Sequence, residues 1–224
     1  MSADPRLVIF DVDGTLVDSQ GDILAAMTCA FEAVDLPAPE RGAILGIVGL
    51  SLDVAMARLA PDADHARMVE AYKDAYITLR ARTGAARSSP LYPGALETLS
   101  RLNAQPDVLL GVATGKSKRG LDKLVEAHAL EGLFVTRQVA DFHPSKPHPS
   151  MILQAMADAG VAPVNTVMIG DTSFDMEMAN AAGVHGLGVS WGYHPVTALS
   201  AAQRIVASFD ALEAALADYW RASR

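Results

Sequence analysis

The chain alternates short apolar segments with helix-like stretches, and this alternation constrains its fold more than any other feature. The candidate strands are residues 6–10, 108–113, 134–140, 166–169, 185–190 and 204–208. The candidate helices are residues 94–104, 117–129, 149–159, 173–182 and 210–222. Strands that alternate with helices form βαβ units, whose parallel sheet is covered by helices on both faces. The sequence therefore predicts an α/β fold with a doubly wound, Rossmann-like parallel sheet.

Residues 16–89 interrupt this alternation, because they contain no good strand candidate. Apolar residues with helical spacing occur there in residues 20–34, 51–60 and 64–82. The stretch TGAARSSPLYPG, residues 83–94, carries the Gly and Pro residues that are typical of a linker. We therefore predict an α/β core made of residues 1–15 and 90–224, with a helical cap domain inserted as residues 16–89.

Charge and composition exclude several classes of function. Eighteen Lys and Arg against 26 Asp and Glu give a net charge of −8, which disfavours nucleic acid and anionic membranes as partners. The single cysteine, Cys29, cannot form an intrachain disulfide or a Cys-rich zinc site. The apolar run from Leu7 meets Asp11 too soon for a signal peptide, and no run approaches the roughly 18 residues that span a bilayer. These features indicate a cytoplasmic protein with neither a nucleic-acid nor a membrane partner.

Carboxylates follow two of the predicted strands. Asp11 and Asp13 come directly after the first strand and project from the same side of an extended segment, while Gly14 lets the backbone turn away. Asp171 follows the fourth strand in the same way. Strand ends at the switch point of such a sheet converge on one crevice. Three carboxylates there are suited to Mg²⁺, which prefers oxygen ligands.

Two further segments carry groups that can bind a phosphate. Thr114 and Gly115 follow the second strand and can offer a hydroxyl and backbone N–H groups at a helix N-terminus, where anions are favoured. Lys146 lies in Ser-Lys-Pro-His-Pro, whose prolines restrict the backbone that carries the ammonium group. A cation, a hydroxyl and a metal-binding aspartate pair together indicate phosphoryl transfer to a carboxylate.

Four motifs in this order resemble the haloacid dehalogenase superfamily. They are DVDGTLVDS at 11–19, ATGK at 113–116, SKPHP at 145–149 and GDTSFD at 170–175. The resemblance covers essentially the whole chain and is to the phosphatases of that superfamily that carry a helical cap after the first strand. The lysine motif and the stretch GVSWGYHP are most similar to bacterial phosphoglycolate phosphatases.

The resemblance implies roles for the first aspartate pair. Asp11 would be the nucleophile that forms an aspartyl-phosphate, and its other oxygen would bind Mg²⁺. Asp13 would protonate the leaving alcohol and then deprotonate the attacking water, with its main-chain carbonyl on the metal. Superfamily members that cleave C–halogen or C–P bonds lack an aspartate at this second position, so Asp13 favours cleavage of a P–O bond.

The resemblance also implies roles for residues after the later strands. Thr114, Gly115 and Lys146 would hold the oxygens of the transferring phosphoryl group. Asp171 would complete the metal site with the first aspartate pair, and Asp175 would orient Lys146 or a metal-bound water.

The cap segment 46–51 is the one glycine-bearing, loop-like stretch within the helical insertion. By resemblance such a loop faces the active site and helps to choose the substrate, which makes Gly46, Gly49 and Ser51 candidate specificity residues. Arg41, nearby in sequence, is a candidate ligand for a second anionic group on the substrate.

Three residues outside these motifs carry simpler expectations. Cys29 lies in an Ala-rich helical stretch, and we expect it to be buried packing rather than a nucleophile. Trp191 and Tyr193 follow the fifth strand, where they either line the mouth of the crevice or pack against the cap.

The predicted function is Mg²⁺-dependent hydrolysis of a small phosphorylated metabolite, with 2-phosphoglycolate as the best single candidate. Three alternatives stay open: a sugar phosphomutase of the β-phosphoglucomutase type, an inorganic pyrophosphatase, and a catalytically silent metabolite sensor. The sequence leaves the oligomeric state, monomer or homodimer, undecided.

Overall fold

The computed structural model describes residues 4–222, which form a six-stranded parallel sheet flanked by helices. The strands are β1 Arg6–Phe10, β2 Val108–Thr114, β3 Phe134–Val139, β4 Thr166–Gly170, β5 His185–Val189 and β6 Arg204–Val206. Their order in the sheet is β3-β2-β1-β4-β5-β6, and all five neighbouring pairs are parallel. The predicted fold class is therefore confirmed.

The helices fall into two groups along the chain. Between β1 and β2 lie α1 Gln20–Glu32, α2 Arg41–Leu45, α3 Leu52–Leu59, α4 His65–Thr83, α5 Ala85–Ser88 and α6 Ala95–Asn103. The later helices are α7 Lys118–Ala127, α8 Ser150–Ala159, α9 Ser173–Ala182 and α10 Phe209–Ala222. The stretch predicted as a linker, residues 83–94, contains the short helix α5, which periodicity alone does not reveal because it is a single turn.

The alternation of side chains along β1 explains the two helical layers. Val8 and Phe10 pack in one buried cluster with residues of α6, α7 and α10. Leu7 and Ile9 point to the opposite face and pack with residues of α8 and α9. The central strand is thus buried on both faces, as a doubly wound sheet requires.

The topology determines where the carboxyl ends of the strands meet. From β1 the chain proceeds to β2 and β3 on one side of the sheet, then continues through β4, β5 and β6 on the other. The switch point lies between β1 and β4, and ligands of open α/β sheets bind in the crevice at that point. Phe10 pairs with Ile169, so the residues that follow these two strands are neighbours.

Helices α1 to α4 have an apolar cluster of their own. Met27, Met56 and Met68 are buried in it, and Leu52 and Leu59 pack against it, so one apolar face of α3 packs in this cluster. The two chain crossings at the base of this cluster run side by side, with Asp18 N donating to Pro90 O and Tyr92 N donating to Leu16 O, each at 2.9 Å. The division into domains at residues 16 and 89 stays a prediction.

The expectation that Cys29 is buried is wrong. Cys29 is exposed on α1, whereas Ala26, Met27, Ala30 and Phe31 are buried on that helix. These four residues lie three and four apart and occupy the inward stripe, which leaves Cys29 on the solvent side.

Candidate active site

Asp11 follows β1 at the switch point and is almost completely buried. Its Oδ1 accepts a hydrogen bond of 2.7 Å from Nζ of Lys146. Its Oδ2 is buried and has no hydrogen-bond partner within residues 4–222. A buried carboxylate oxygen without a donor is costly, so its presence here indicates a position kept for a ligand or a reaction.

Lys146 is buried beneath the crevice between two carboxylates. Its Nζ donates to Oδ1 of Asp11 and to Oδ1 of Asp175, each at 2.7 Å. Burial alone would lower the pKa of Lys146, but the charges of Asp11 and Asp175 outweigh it and raise the pKa above the ordinary lysine value. Lys146 is therefore a permanent cation that positions the Asp11 carboxylate.

Asp171 and Asp175 are fixed from the other side of the crevice. Asp171 accepts hydrogen bonds from Oγ1 of Thr15 at 3.0 Å and from the backbone N–H of Tyr193 at 2.7 Å. Oδ2 of Asp175 accepts from the backbone N–H and the hydroxyl of Thr172, and the backbone N–H of Asp175 donates to that hydroxyl in a capping box at the start of α9. Each side chain thus has a set orientation before any ligand binds.

The carboxylates of Asp11, Asp171 and Asp175 form a buried cluster that fits a metal ion. One oxygen of each lies within 4.8 Å of the other two. Burial raises the pKa of Asp11 to about 7, and burial together with the charge of Asp11 raises the pKa of Asp171 well above its ordinary value. A divalent cation held by these carboxylates would relieve this repulsion.

Two glycines make room for this cluster. A Cβ atom on Gly14 would lie 2.3 Å from Oδ2 of Asp171, and a Cβ atom on Gly192 would lie 2.1 Å from Cβ of Asp171. Gly14 also has a φ of +90°, in the region that favours glycine. The Asp171 carboxylate is therefore enclosed by backbone on two sides.

The carboxylate of Asp13 points away from this cluster. It lies 2.6 and 2.7 Å from Nζ of Lys116 and accepts a short hydrogen bond from the hydroxyl of Ser19. Lys116 also donates to the hydroxyl of Tyr76, a residue of α4, at 3.3 Å. Among the predicted metal ligands, the structure brings the side chains of Asp11 and Asp171 together, with Asp175 beside them. The predicted metal ligand of Asp13 is its main-chain carbonyl, so the direction of its carboxylate leaves that prediction untested.

Thr114 and Gly115 lie at the end of β2, next to Asp11 across the crevice. Thr114 is buried, and its hydroxyl accepts a hydrogen bond of 3.2 Å from the backbone N–H of Lys116. A Cβ atom on Gly115 would lie 2.6 Å from the carbonyl oxygens of Gly49 and Leu50. The cap segment 46–51, called the cap loop below, is therefore in direct contact with the backbone of the predicted phosphate-binding turn.

Comparison with known protein families shows which family the chain belongs to. The model of the haloacid dehalogenase-like hydrolases matches residues 8–189, which is most of the sequence. The chain belongs to this family. The superfamily and the enzyme class predicted from the four motifs are confirmed.

Individual relatives of this hydrolase agree with the phosphatase class. It is 37% identical over 200 residues to "Probable phosphatase IndB" of Dickeya dadantii, covering 88% of this chain and 86% of the relative. It is 33% identical over 194 residues to the phosphoglycolate phosphatase of Pseudomonas putida, covering 85% and 71%. The crystal structure of a hydrolase from Pseudomonas syringae superposes with a TM-score of 0.83 at 25% identity, covering 95% and 98%.

The structure places the four cap residues predicted to choose the substrate in two different environments. Gly49 lines the cavity above the carboxylates, and the backbone N–H of Ser51 donates to the hydroxyl of Ser145 at 2.9 Å. Arg41 and Gly46 are exposed and outside the cavity lining, and the guanidinium of Arg41 is hydrogen bonded to the side chain of Gln20. The side chain of Arg41 is therefore held on the outer surface of the cap.

Trp191 and Tyr193 of this hydrolase take different positions. Trp191 packs against Tyr92 and Phe209 of the core, and its Nε1 donates to the carbonyl of Thr15 at 3.1 Å. Tyr193 packs against the cap cluster, and its hydroxyl accepts from the backbone N–H of Ser19 at 2.8 Å. Tyr193 thereby connects the Asp171 carboxylate to the start of the cap.

Sequence reasoning missed several residues that complete the site. Ser19 lies within the first motif, yet its contact with Asp13 depends on the turn between β1 and α1. Tyr72, Tyr76 and Arg80 are four residues apart on α4 and share one face of the helix, which lines the cavity. That spacing is the sequence signal that could have identified them.

Within residues 4–222 we find no helix with the length and apolar character needed to cross a membrane.

Proposed function

We propose that this hydrolase is a Mg²⁺-dependent phosphomonoesterase that transfers a phosphoryl group first to Asp11 and then to water. The observation that carries the proposal is the buried, unpartnered Oδ2 of Asp11, in a carboxylate that Lys146 holds through the other oxygen. Such an oxygen is free to act as a nucleophile without breaking any contact.

The first step forms a bond between Oδ2 of Asp11 and phosphorus and breaks the bond from phosphorus to the leaving oxygen. Asp13, in its protonated form, gives a proton to that oxygen, and the hydroxyl of Thr114 and the backbone N–H of Gly115 donate to the phosphoryl oxygens. In the second step Asp13 takes a proton from water as the water oxygen bonds to phosphorus and releases Asp11. When bound by Asp11, Asp171 and the Asp13 carbonyl, Mg²⁺ supplies positive charge that offsets repulsion between carboxylate and phosphate.

The first substrate to test is 2-phosphoglycolate, because the relative from Pseudomonas putida carries the name phosphoglycolate phosphatase. A cavity that lies between cap and core favours a small metabolite over a folded macromolecule. Closure of the cap over such a substrate excludes water during phosphoryl transfer.

A substrate panel tests this proposal. We expect phosphate release from 2-phosphoglycolate, sugar phosphates or nucleoside monophosphates, with loss of activity in EDTA and recovery on adding Mg²⁺. The values of kcat/KM rank the substrates. Release from pyrophosphate alone would indicate a pyrophosphatase, isomerised sugar phosphate without phosphate release would indicate a mutase, and Mg²⁺ binding without any turnover would indicate a sensor.

The contact between Gly115 and the cap loop gives a second prediction. In Gly115→Ala the new methyl group meets two backbone carbonyl oxygens at 2.6 Å, so the loop has to move away from the phosphate site. Displacements of about 1 Å can cost on the order of 100-fold in rate, and we expect a loss of 10-fold to 100-fold in kcat/KM.

Gly42→Ala is the matched control, because a Cβ atom on Gly42 meets no atom within 4 Å beyond its chain neighbours and the backbone of its own helix. It adds the same methyl group at an exposed position outside the cavity lining, so its kcat/KM should remain that of the wild type. Equal activities of the two variants would show that loop 46–51 does not need its present position for catalysis.

A further inference from the structure

The cavity above the carboxylate cluster is large for a two-carbon acid. Its volume is about 710 Å³, and it extends from Asp11 and Asp13 to the far end of α4. Pockets of about 300–1,000 Å³ bury ligands of drug size. A molecule as short as 2-phosphoglycolate would occupy only the end next to Asp11.

The walls beyond the phosphate site are apolar and aromatic. Ile23 and Met27 of α1 and Ile47 of the cap loop line the cavity. Tyr72 and Tyr76 stack with their ring centroids 5.9 Å apart and an angle of 19° between the ring planes. These walls are suited to the carbon skeleton or planar ring of a substrate rather than to a second phosphate-like group close to the first.

Arg80 lies at the end of this apolar section. Its Nε and Nη2 atoms are buried and have no hydrogen-bond partner within the part of the chain that the structure describes. Its guanidinium carbon lies 5.2 Å from the centroid of the Tyr76 ring. Buried guanidinium donors without an acceptor are costly, and an anionic ligand would satisfy them with two parallel hydrogen bonds.

A line of contacts connects Arg80 to the reaction site. Lys116 pairs with Asp13 and donates to the hydroxyl of Tyr76, and Arg80 follows Tyr76 by one helical turn, about 6 Å along the helix axis. The rim residues Lys73, Asp74 and Arg119 are exposed, so solvent weakens their pull on a ligand. The buried donors of Arg80 are the stronger anion site.

We propose that Arg80 binds a second acidic group of the substrate, at the opposite end of an apolar or planar body from the phosphate. The inference rests on the proposed phosphatase activity and names its substrate class: a phosphomonoester with a terminal carboxylate or second phosphate, longer than 2-phosphoglycolate. Arg80 is then a residue that determines substrate specificity. Arg41 lies on the outer surface of the cap and is not placed to take this role.

Binding of non-hydrolysable phosphonates tests the inference without any turnover. The probes are alkylphosphonates of increasing chain length in two matched series, one ending in a carboxylate and one in a methyl group. Titration calorimetry in Mg²⁺ measures both series on the wild type and on Arg80→Gln. For the longer chains we expect the carboxylate to tighten wild-type binding about 10-fold or more, and Arg80→Gln to lose this gain.

Arg82→Gln is the matched control, because Arg82 lies on the same helix but is exposed and outside the cavity lining. Arg82→Gln should keep the full increase in affinity that the terminal carboxylate gives. Arg80→Lys keeps the charge without the paired donors, so it should keep part of that increase.

Two results would overturn the inference: a wild type that does not prefer the carboxylate on longer chains, or a preference that survives in Arg80→Gln. If no phosphate ester is hydrolysed, the proposed function fails while this binding comparison still decides the role of Arg80.

Discussion

Asp11→Asn removes phosphate release, with an expected loss on the order of 10⁴-fold to 10⁶-fold in kcat. The carboxamide has almost the shape of the carboxylate but lacks a nucleophilic oxygen at the Oδ2 position. Lys146 remains held by Asp175 at 2.7 Å, so the side chains around the site keep their partners. Steady-state phosphate release on the best substrate of the panel, with and without Mg²⁺, measures the effect.

The same substitution should not weaken the fold in the absence of metal. Burial raises the pKa of Asp11 to about 7, above its value of 3.8 in the unfolded chain. The folded state therefore holds a proton that the unfolded state releases between these pH values, and stability falls as pH rises from about 4 to about 7. Asparagine does not ionise, so Asp11→Asn does not lose stability over this pH range. In EDTA at pH 7 we expect Asp11→Asn to unfold at a temperature equal to or above that of the wild type.

Asp53→Asn provides the control for both measurements. Asp53 is exposed in the first turn of α3, so its loss should leave turnover intact and shift stability by less than about 1 kcal/mol. Turnover by Asp11→Asn within 10-fold of the wild type would rule out Asp11 as the nucleophile. A strongly destabilised Asp11→Asn would show that its carboxylate is a net stabilising partner of Lys146.

The fold and the positions of the carboxylates could be predicted because they depend on local signals. Each apolar strand that ends in a polar residue specifies both a place in the sheet and a place at its carboxyl edge. Asp11 and Asp171 follow β1 and β4, which are neighbours in the sheet, so two short motifs suffice to bring them together. The roles of these side chains in catalysis stay predictions.

The cap could not be predicted at the same level, because its side-chain directions depend on how helices pack. Arg41 and Arg80 are both arginines of cap helices, yet one lies on the outer surface and the other faces the cavity. Cys29 shows the same difficulty, since a shift of one residue in helical phase moves a side chain from the core to solvent. The contact between Asp13 and Lys116 likewise joins two segments that are far apart in sequence.

Lys146→Met should have the largest effect on stability of any substitution at this site. Lys146 is the cation that lies between Asp11 and Asp175, and its side chain is 0% exposed. Methionine fills a similar volume but leaves both carboxylates buried without that cation. Removing one partner from a buried ion pair costs about 3–5 kcal/mol, and we expect a loss of that size in the free energy of unfolding in EDTA. Denaturant unfolding at pH 8 measures it.

Lys118→Met is the matched control, because Lys118 pairs with Asp122 at the surface, where the two side chains are 60% and 42% exposed. Its loss should cost less than about 1 kcal/mol. A comparably small cost for Lys146→Met would show that water or protonation already neutralises the carboxylates.

Two further measurements separate the effect of charge from the effect of packing in Lys146→Met. They are the pH dependence of its free energy of unfolding and the stability of the double variant that also carries Asp11→Asn. Without the cation the pKa of Asp11 rises further, so the variant regains stability as pH falls and Asp11 takes up a proton. Adding Asp11→Asn to Lys146→Met removes one of the two stranded carboxylates and should recover part of the lost stability. A deficit that is the same at pH 5 and pH 8 and is not reduced by Asp11→Asn would mean that Lys146 stabilises the site by packing. Its role in positioning the Asp11 carboxylate would then have to be abandoned.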